Sequence, residues 1–387
     1  MDALTLDSAW RWTRRHLLRT RLDALLTVGA GLVIAFVAVP LAGWVVSGAD
    51  WGVIAANRHL LLVGSYPAEE VWRVWAVVWM LMAMSGISLG ALTESARFGW
   101  KIVGAGAAAL LLLAALSAAW EAALAGALLA AAYPLARRPG SAGRLLFPGW
   151  GVFAVATLVL LGGFEGSGWL PAVGTQRWGG FLLTALLTAV GIVVSLPLGV
   201  ALALGRRGRL PVIRWFCVGY IELIRGVPLI TVLFMGQLVI PLFLPPGWAI
   251  DNLIRVMAAV VIFSSAYMAE NVRGGLQSLP HGQLEAAQAL GLGVTATTFL
   301  IVLPQALRNV IPAIVGQCIA LFKDTSLVAI IGLIDFLSAG QASMAQAGFA
   351  GREAEVYAFV AAVYWLFSFT FSQASRRLEQ RLGVGER

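Results

Sequence analysis

Residues 280–304 read PHGQLEAAQALGLGVTATTFLIVLP, in an otherwise apolar chain. Glu285-Ala286-Ala287 is followed after three residues by Gly291, after nine more by Ile301, and then by Leu303-Pro304. The wider segment 273–309 lacks a long apolar run and carries Arg273, His281, Glu285 and Arg308. Charge is costly in hydrocarbon, so a polar, helix-prone segment between membrane spans lies at or outside the bilayer surface. Pro280 suits a first helical turn, and Gly291 can take the left-handed conformation that ends a helix. Gly282, Ala286 and Ala289 fall at spacings of four and three, giving one face of small side chains that a partner can approach closely. Gln283 and Glu285 add polar handles. Pro304 and Pro312 are expected to break the chain again, so the segment reads as a helix-turn-helix. The plain alternative is an ordinary surface helix linking two spans.

The surroundings are those of a membrane protein. Of 387 residues, 60% are hydrophobic and 12% charged, where a soluble domain carries about 25% charge. Stretches of about 20 apolar residues recur along the chain, which excludes a soluble domain with a single anchor. Ten spans are expected, near 24–46, 72–92, 102–118, 122–136, 147–164, 180–205, 226–244, 253–272, 310–334 and 356–374. The first follows a basic start but is too long for a signal peptide and lacks a cleavage pattern, so it reads as an uncleaved span. Each half of 102–136 is short, so this pair either crosses twice or turns back within the membrane, leaving eight spans.

The net charge of +8 is no argument for nucleic acid. The arginines stand in blocks between spans: Arg11, Arg14, Arg15, Arg19 and Arg21; Arg137, Arg138 and Arg144; Arg206, Arg207, Arg209 and Arg214; Arg376, Arg377 and Arg381. Starting inside, the span set puts every block, and both termini, in the cytoplasm, as the positive-inside rule requires. Cys217 and Cys318 have no metal or redox spacing, and His16, His59 and His281 do not cluster. No metal site is expected, and no G-x-x-x-x-G-K-[ST] phosphate loop is present.

Four runs after the polar, Gly-rich stretch 165–178 carry a family resemblance. They are GGFLLTALLTAVGIVVSLPLGVALALGRR (179–207), IELIRGVPLITVLF (221–234), SSAYMAENVRGGLQSLP (264–280) and LFKDTSL (321–327). With the Glu-Ala-Ala run they resemble, in order, the polar amino acid ABC transporter permeases, type I importers with a cytoplasmic EAA loop. The long N-terminal membrane part is similar to that of a general L-amino acid permease subunit. The resemblance implies an all-α polytopic protein: an N-terminal transmembrane extension (1–170), then a five-helix permease core (171–387) with a coupling loop at 274–309.

It also implies a role. The chain would form half of a translocation pore for an L-amino acid in the lipid of a bacterial inner membrane. Its partners would be a second permease subunit in a heterodimer, a dimer of ATPase subunits and a periplasmic amino-acid-binding protein. It would itself be no enzyme and hold no cofactor, with ATP-Mg on the ATPase. Gly282, Gln283, Glu285, Ala286, Ala287, Ala289 and Gly291 would meet that ATPase.

Ionisable residues within spans are functional candidates. Lys323-Asp324 lies about 14 residues into its span, roughly 20 Å along a helix, and reads as buried. Only Lys101 and Lys323 are lysines among 27 basic residues, which points to a need for a compact ammonium there. An amino acid carries one carboxylate and one ammonium, which Lys323 and Asp324 match, with Thr325 and Ser326 as neutral donors. The other reading is that the two charges neutralise neighbouring side chains. Glu270 and Arg273, three apart, either pair locally at the interface or line the pathway. Arg225 precedes Pro228, a helix-start residue, and these two with Arg273 are candidates for a gate or subunit interface, the plainer reading of Arg225 being an anchor at the membrane surface. An ion-coupled amino acid carrier would share the composition but would want inverted repeats with paired broken helices, and gives no reason for the Glu-Ala-Ala run. An intramembrane enzyme would need a constellation such as H-E-x-x-H, which is absent.

Overall fold

The computed structural model describes residues 13, 17, 19–92, 96–117, 120–137 and 142–382. Arg11, Arg14, Arg15, His16 and Arg138 lie outside these residues, as do the side chains of Arg144 and Arg381. In chain order the helices are α1 (Arg21–Gly43, continued by a π turn Trp44–Gly48), α2 (Gly52–Ala56), α3 (Arg58–Val63), α4 (Val71–Leu92), α5 (Ala96–Ser117), α6 (Trp120–Ala136) and α7 (Ala142–Gly162). There follow α8 (Gly180–Arg207), α9 (Pro211–Arg225), α10 (Leu229–Phe234), α11 (Asn252–Gln277), α12 (His281–Ala289), α13 (Val294–Ala296) and α14 (Leu303–Asn309). The last are α15 (Ile311–Asp324), α16 (Phe336–Met344) and α17 (Glu353–Leu382).

Among the described residues, six helices are long and apolar enough to cross a membrane, seven if the bent pair Pro211–Arg225 and Leu229–Phe243 is one span. Three shorter apolar helices, Gly99–Leu111, Trp120–Ala136 and Leu146–Gly162, occupy the remaining expected positions. Trp120–Ala136, at 17 residues, extends about 26 Å, a little short of a hydrocarbon core of about 30 Å.

Two expected spans depart from simple rods. The 226–244 span is six residues of α10, then a π turn at Met235–Val239 and a 3-10 turn at Ile240–Phe243. It is preceded by a separate helix, α9, and the two meet at 108°. Pro228 causes the break: it is the N-cap of α10 with extended ψ, and its ring excludes α-helical continuation from the residue before it. The 310–334 span is α-helical only to Asp324, then 3-10 over Thr325–Ile331, ending at left-handed Gly332.

Helix α1 has a complete capping box between Thr20 and Asp23, yet none of its residues is buried. The next helices form a bundle in which α6 packs on α4 and α5, and α7 on α4. Glycines let the backbones touch: a Cβ at Gly90 would fall 2.3 Å from the Tyr133 carbonyl oxygen. The second half is organised on α8 and α11, whose contact depends on Gly199, where a Cβ would fall 2.5 Å from Met268 Cβ. Their shared core holds Leu183, Leu187, Leu233, Val256, Val260, Leu321 and Val328, all buried.

Opposite the 278–310 end, the two halves share a packed seam. Val53 and Leu61 of α2 and α3 are buried against Phe336, Ala339, Val356 and Val360. Gly179 N–H donates to the Val63 carbonyl (3.2 Å) and Gly180 N–H to the Ile334 carbonyl (2.8 Å). At Gly64, with φ +68°, a Cβ would lie 2.5 Å from Gly179 Cα, so the crossing admits no side chain there. Gln346 Nε2 donates to Asn57 Oδ1 (2.7 Å), and Arg352 pairs with Asp50 (3.1 Å). Residues 49–66, between the first two spans, are therefore built onto α8, α16 and α17. Asp335, fully buried in this seam, caps α16 by accepting from the Leu337 and Ser338 N–H groups. Burial pushes its carboxyl up, against the pull of those hydrogen bonds.

Candidate coupling site and charged node

Segment 278–310 lies between two spans, as its polarity requires. Helix α12 starts after Pro280, its N-cap, and stops in a Schellman arrangement: Leu292 N–H donates to the Ala287 carbonyl (3.1 Å) and Gly291 N–H to that of Gln288 (2.9 Å). Gly291 has φ +74°, the left-handed conformation this motif needs. Gly282, Gln283, Glu285, Ala286 and Ala289 are all exposed. Ala287 is not: at 4% exposure it is the side chain that seats α12. Leu284 and Leu290, 42% and 81% exposed, are uncovered apolar side chains on the same segment.

Pro304 does not break the chain. The turn ahead of it, Thr297–Val302, widens to π geometry, and Val302 and Leu303 stay helical into α14. The wider turn relieves the clash between the proline ring and the carbonyl four residues back. The break comes instead at Val310, with Pro312 in the first turn of α15.

Arg225, Glu270 and Arg273 come together, with two residues that sequence reasoning missed. Arg273 grips Glu270 with both Nε (2.9 Å to Oε2) and Nη2. Arg225 Nη1 stands 3.6 Å and Arg206 Nη1 3.7 Å from Glu270 Oε2, and Arg206 Nη1 also lies 3.1 Å from Glu222 Oε1. Arg225 further stacks over the Tyr267 ring at 5.7 Å. Three arginines and two glutamates from α8, α9 and α11 thus share one node beside the polar loop. Arg206 was legible only as part of a basic block, and Glu222 gave no signal, because their partners are distant in sequence. Pro228 is exposed at the bend and outside the node.

Lys323 lies within its candidate span and is exposed on this chain, and among the described residues no carboxylate forms an ion pair with it. Thr325 is the buried one, at 1% exposure, its hydroxyl donating to the Phe322 carbonyl (2.7 Å). Asp324 and Ser326 are half-buried.

A many-spanned, all-helical chain with one exposed polar helix between two of its last spans is built as the membrane-embedded part of a transporter. The family model described as "Binding-protein-dependent transport system inner membrane component" matches residues 195–384. The chain is 38% identical to the inner membrane amino-acid ABC transporter permease protein YhdY of Escherichia coli (strain K12), over 97% of this chain and 93% of that protein. It is 36% identical to the glutamate/glutamine/aspartate/asparagine transport system permease protein BztC of Rhodobacter capsulatus, over 97% and 94%. Among solved structures, an amino acid ABC transporter with histidines matches at 30% identity and TM-score 0.47, covering 52% of this chain and 92% of that one. The chain belongs to the amino-acid ABC transporter permeases, multi-pass proteins of the inner membrane.

Proposed function

We propose that this chain is the permease half of an ATP-driven importer of polar L-amino acids, and that α12 docks it onto a cytoplasmic ATPase. The observation that carries the reading is α12 itself. It is exposed on all but one residue, lies outside the spans, and offers Gly282, Ala286 and Ala289 beside Leu284 and Leu290. Small side chains admit a close partner, the leucines contribute apolar area, and Gln283 and Glu285 supply polar contacts. The energy source is a dimer of separate ATPase subunits holding ATP-Mg. A second permease completes the pore, a periplasmic binding protein delivers the amino acid, and both termini of this chain face the cytoplasm. ATP-driven closure of the ATPase subunits draws the coupling helices together and rotates each permease outward; hydrolysis returns it.

The substrate pathway runs past Lys323, Asp324 and Ser326, with Glu270 at its inner mouth and Arg225, Pro228 and Arg273 at the gate. An uncovered lysine within a span needs an aqueous path or a partner rather than lipid. Its ammonium suits a carboxylate, in keeping with BztC, named for glutamate, glutamine, aspartate and asparagine.

The test is co-purification with the neighbouring gene products, then ATP hydrolysis in nanodiscs with binding protein and single amino acids, for wild type and Glu285→Arg. An associated ATPase stimulated by liganded binding protein, with stimulation lost in Glu285→Arg, supports the reading. If no ATPase associates, or the substitution changes nothing, an ion-coupled amino acid carrier becomes the better account.

A further inference from the structure

We infer that Gln305 and Asn309 are positioning residues that brace the coupling helix against the end of α11, so that displacement of α12 reaches the span instead of dissipating in the loop. The inference rests on the docking role proposed for α12. That helix has nine residues and buries only Ala287, so its own seat is too small to transmit force. Local segments with few buried contacts open at little cost. What ties it to the span is α14, which touches α12 at one residue and the end of α11 at the others. Gln305 Nε2 donates to Gln283 Oε1 on α12 (3.2 Å) and to the Ile301 carbonyl (2.9 Å). One turn further along, Asn309 Nδ2 donates to Ser278 Oγ (3.0 Å), whose hydroxyl donates to the Gly275 carbonyl (2.9 Å). Next comes Gly275, so close to α14 that a Cβ would fall 2.5 Å from the Ala306 carbonyl oxygen. Last, Asn271 Nδ2 reaches the Ala313 carbonyl (3.5 Å).

Residues 305, 306, 309 and 313 thus meet 283, 275, 278 and 271, so α14 and the start of α15 contact both α12 and the end of α11. The apolar side of the same contact, Val272, Leu276, Leu303 and Ala306, is buried and supplies adhesion without direction. The amide and hydroxyl pairs fix the sliding register, because a hydrogen bond weakens steeply when its donor and acceptor are displaced. Exposed hydrogen bonds contribute little to global stability, so removing them disturbs transmission before it disturbs folding. The span reached is α11, which carries Glu270 and Arg273 of the charged node.

The experiment measures amino acid moved per ATP hydrolysed in proteoliposomes holding the whole transporter, with liganded binding protein inside the transport cycle. It compares wild type, the double variant Gln305→Ala/Asn309→Ala, the exchange Ser278→Asn/Asn309→Ser, and Glu285→Arg. The double variant should co-purify with the ATPase as wild type does, yet move roughly three- to tenfold less amino acid per ATP, the span of coupling energies seen for such residues. The exchange keeps Gln305, rebuilds the amide–hydroxyl pair with its ends reversed, and should retain most of the wild-type ratio. An unchanged ratio in the double variant, with Glu285→Arg uncoupled, would overturn the brace while leaving the docking role standing. A double variant that fails to assemble, with no rescue by the exchange, would also overturn it, as a merely structural contact. If Glu285→Arg remains fully coupled, the docking role fails and the brace falls with it.

Discussion

Arg225 Nη1 lies 3.6 Å from Glu270 Oε2, joining the last residue of α9 to the lower part of α11. Arg225 is also the residue at which the chain turns through 108° into α10. Arg206 and Arg273 reach the same carboxylate, so one glutamate ties three helices at the edge of the polar loop.

Replacing Glu270 with Gln therefore leaves three guanidinium groups with only Glu222 between them. The Glu270 side chain is 22% exposed and that of Glu222 57%. Loss of a part-buried charged acceptor costs about 1–3 kcal/mol, whereas an exposed pair contributes less than about 1. Thermal unfolding in nanodiscs should rank Glu270→Gln well below Glu222→Gln and wild type. Equal midpoints for the two variants would show that the node is not centred on Glu270.

The contact between α8 and α11 makes a sharper test of packing. A Cβ at Gly199 would meet Met268 Cβ at 2.5 Å and the Ala269 backbone nitrogen at 2.9 Å, while nothing stands within 4 Å of one at Gly219. Gly199→Val should destabilise by about 1–3 kcal/mol, the usual cost of overpacking. Gly219→Ala, on an open face of α9, should be neutral or stabilising by up to about 1 kcal/mol. Denaturation of the two variants side by side decides the matter.

At the far seam, Asn57 is 6% exposed and satisfied by Val53 and Gln346. Asn57→Leu strands the Gln346 amide and removes the tie, at about 1–3 kcal/mol. Hydrogen exchange should rise selectively in 332–352 and 49–66. Protection unchanged in both segments would mean that the apolar contacts of Val53 and Leu61 hold the seam alone.

Lys323 and Thr325 separate pathway from scaffold. Thr325→Val keeps shape and loses one internal hydrogen bond, so it should lower stability by about 1 kcal/mol and leave uptake intact. Lys323→Ala should lower amino acid uptake roughly tenfold, equivalent to about 1.4 kcal/mol, with stability unchanged. Reversed effects would place Thr325 rather than Lys323 on the pathway.

Much was legible in the chain because the bilayer imposes simple rules. Among the described residues, each of the ten expected spans contains helix, since backbone polar groups in lipid must be satisfied within the segment. Gly291 ends α12 as its lack of a side chain permits, and Glu270 meets Arg273 because three residues is one helical turn. Other features escaped that local logic. Depth along a span does not say which side chains the fold encloses: Lys323 is exposed on this chain, and Thr325, two residues on, is enclosed. Pro304 was read as a break, but a π turn absorbed it. Residues 49–66 were unremarkable as sequence, being short, mixed and lacking a motif.

Local chemistry thus settled the class of the chain: apolar runs of spanning length, arginines between them, and a polar helix bounded by Pro280 and Gly291. Those properties depend on neighbours within a turn or on the solvent, and both are readable residue by residue. Tertiary structure alone decided which distant residues meet. Arg206 and Glu222 join Glu270, Asn309 finds Ser278, and Val53 lies against Val356, because each meeting requires helices from separate parts of the chain to pack at a set register. That register is chosen by close backbone approach at glycines such as Gly199 and Gly275, where the pattern in sequence is only an absent side chain.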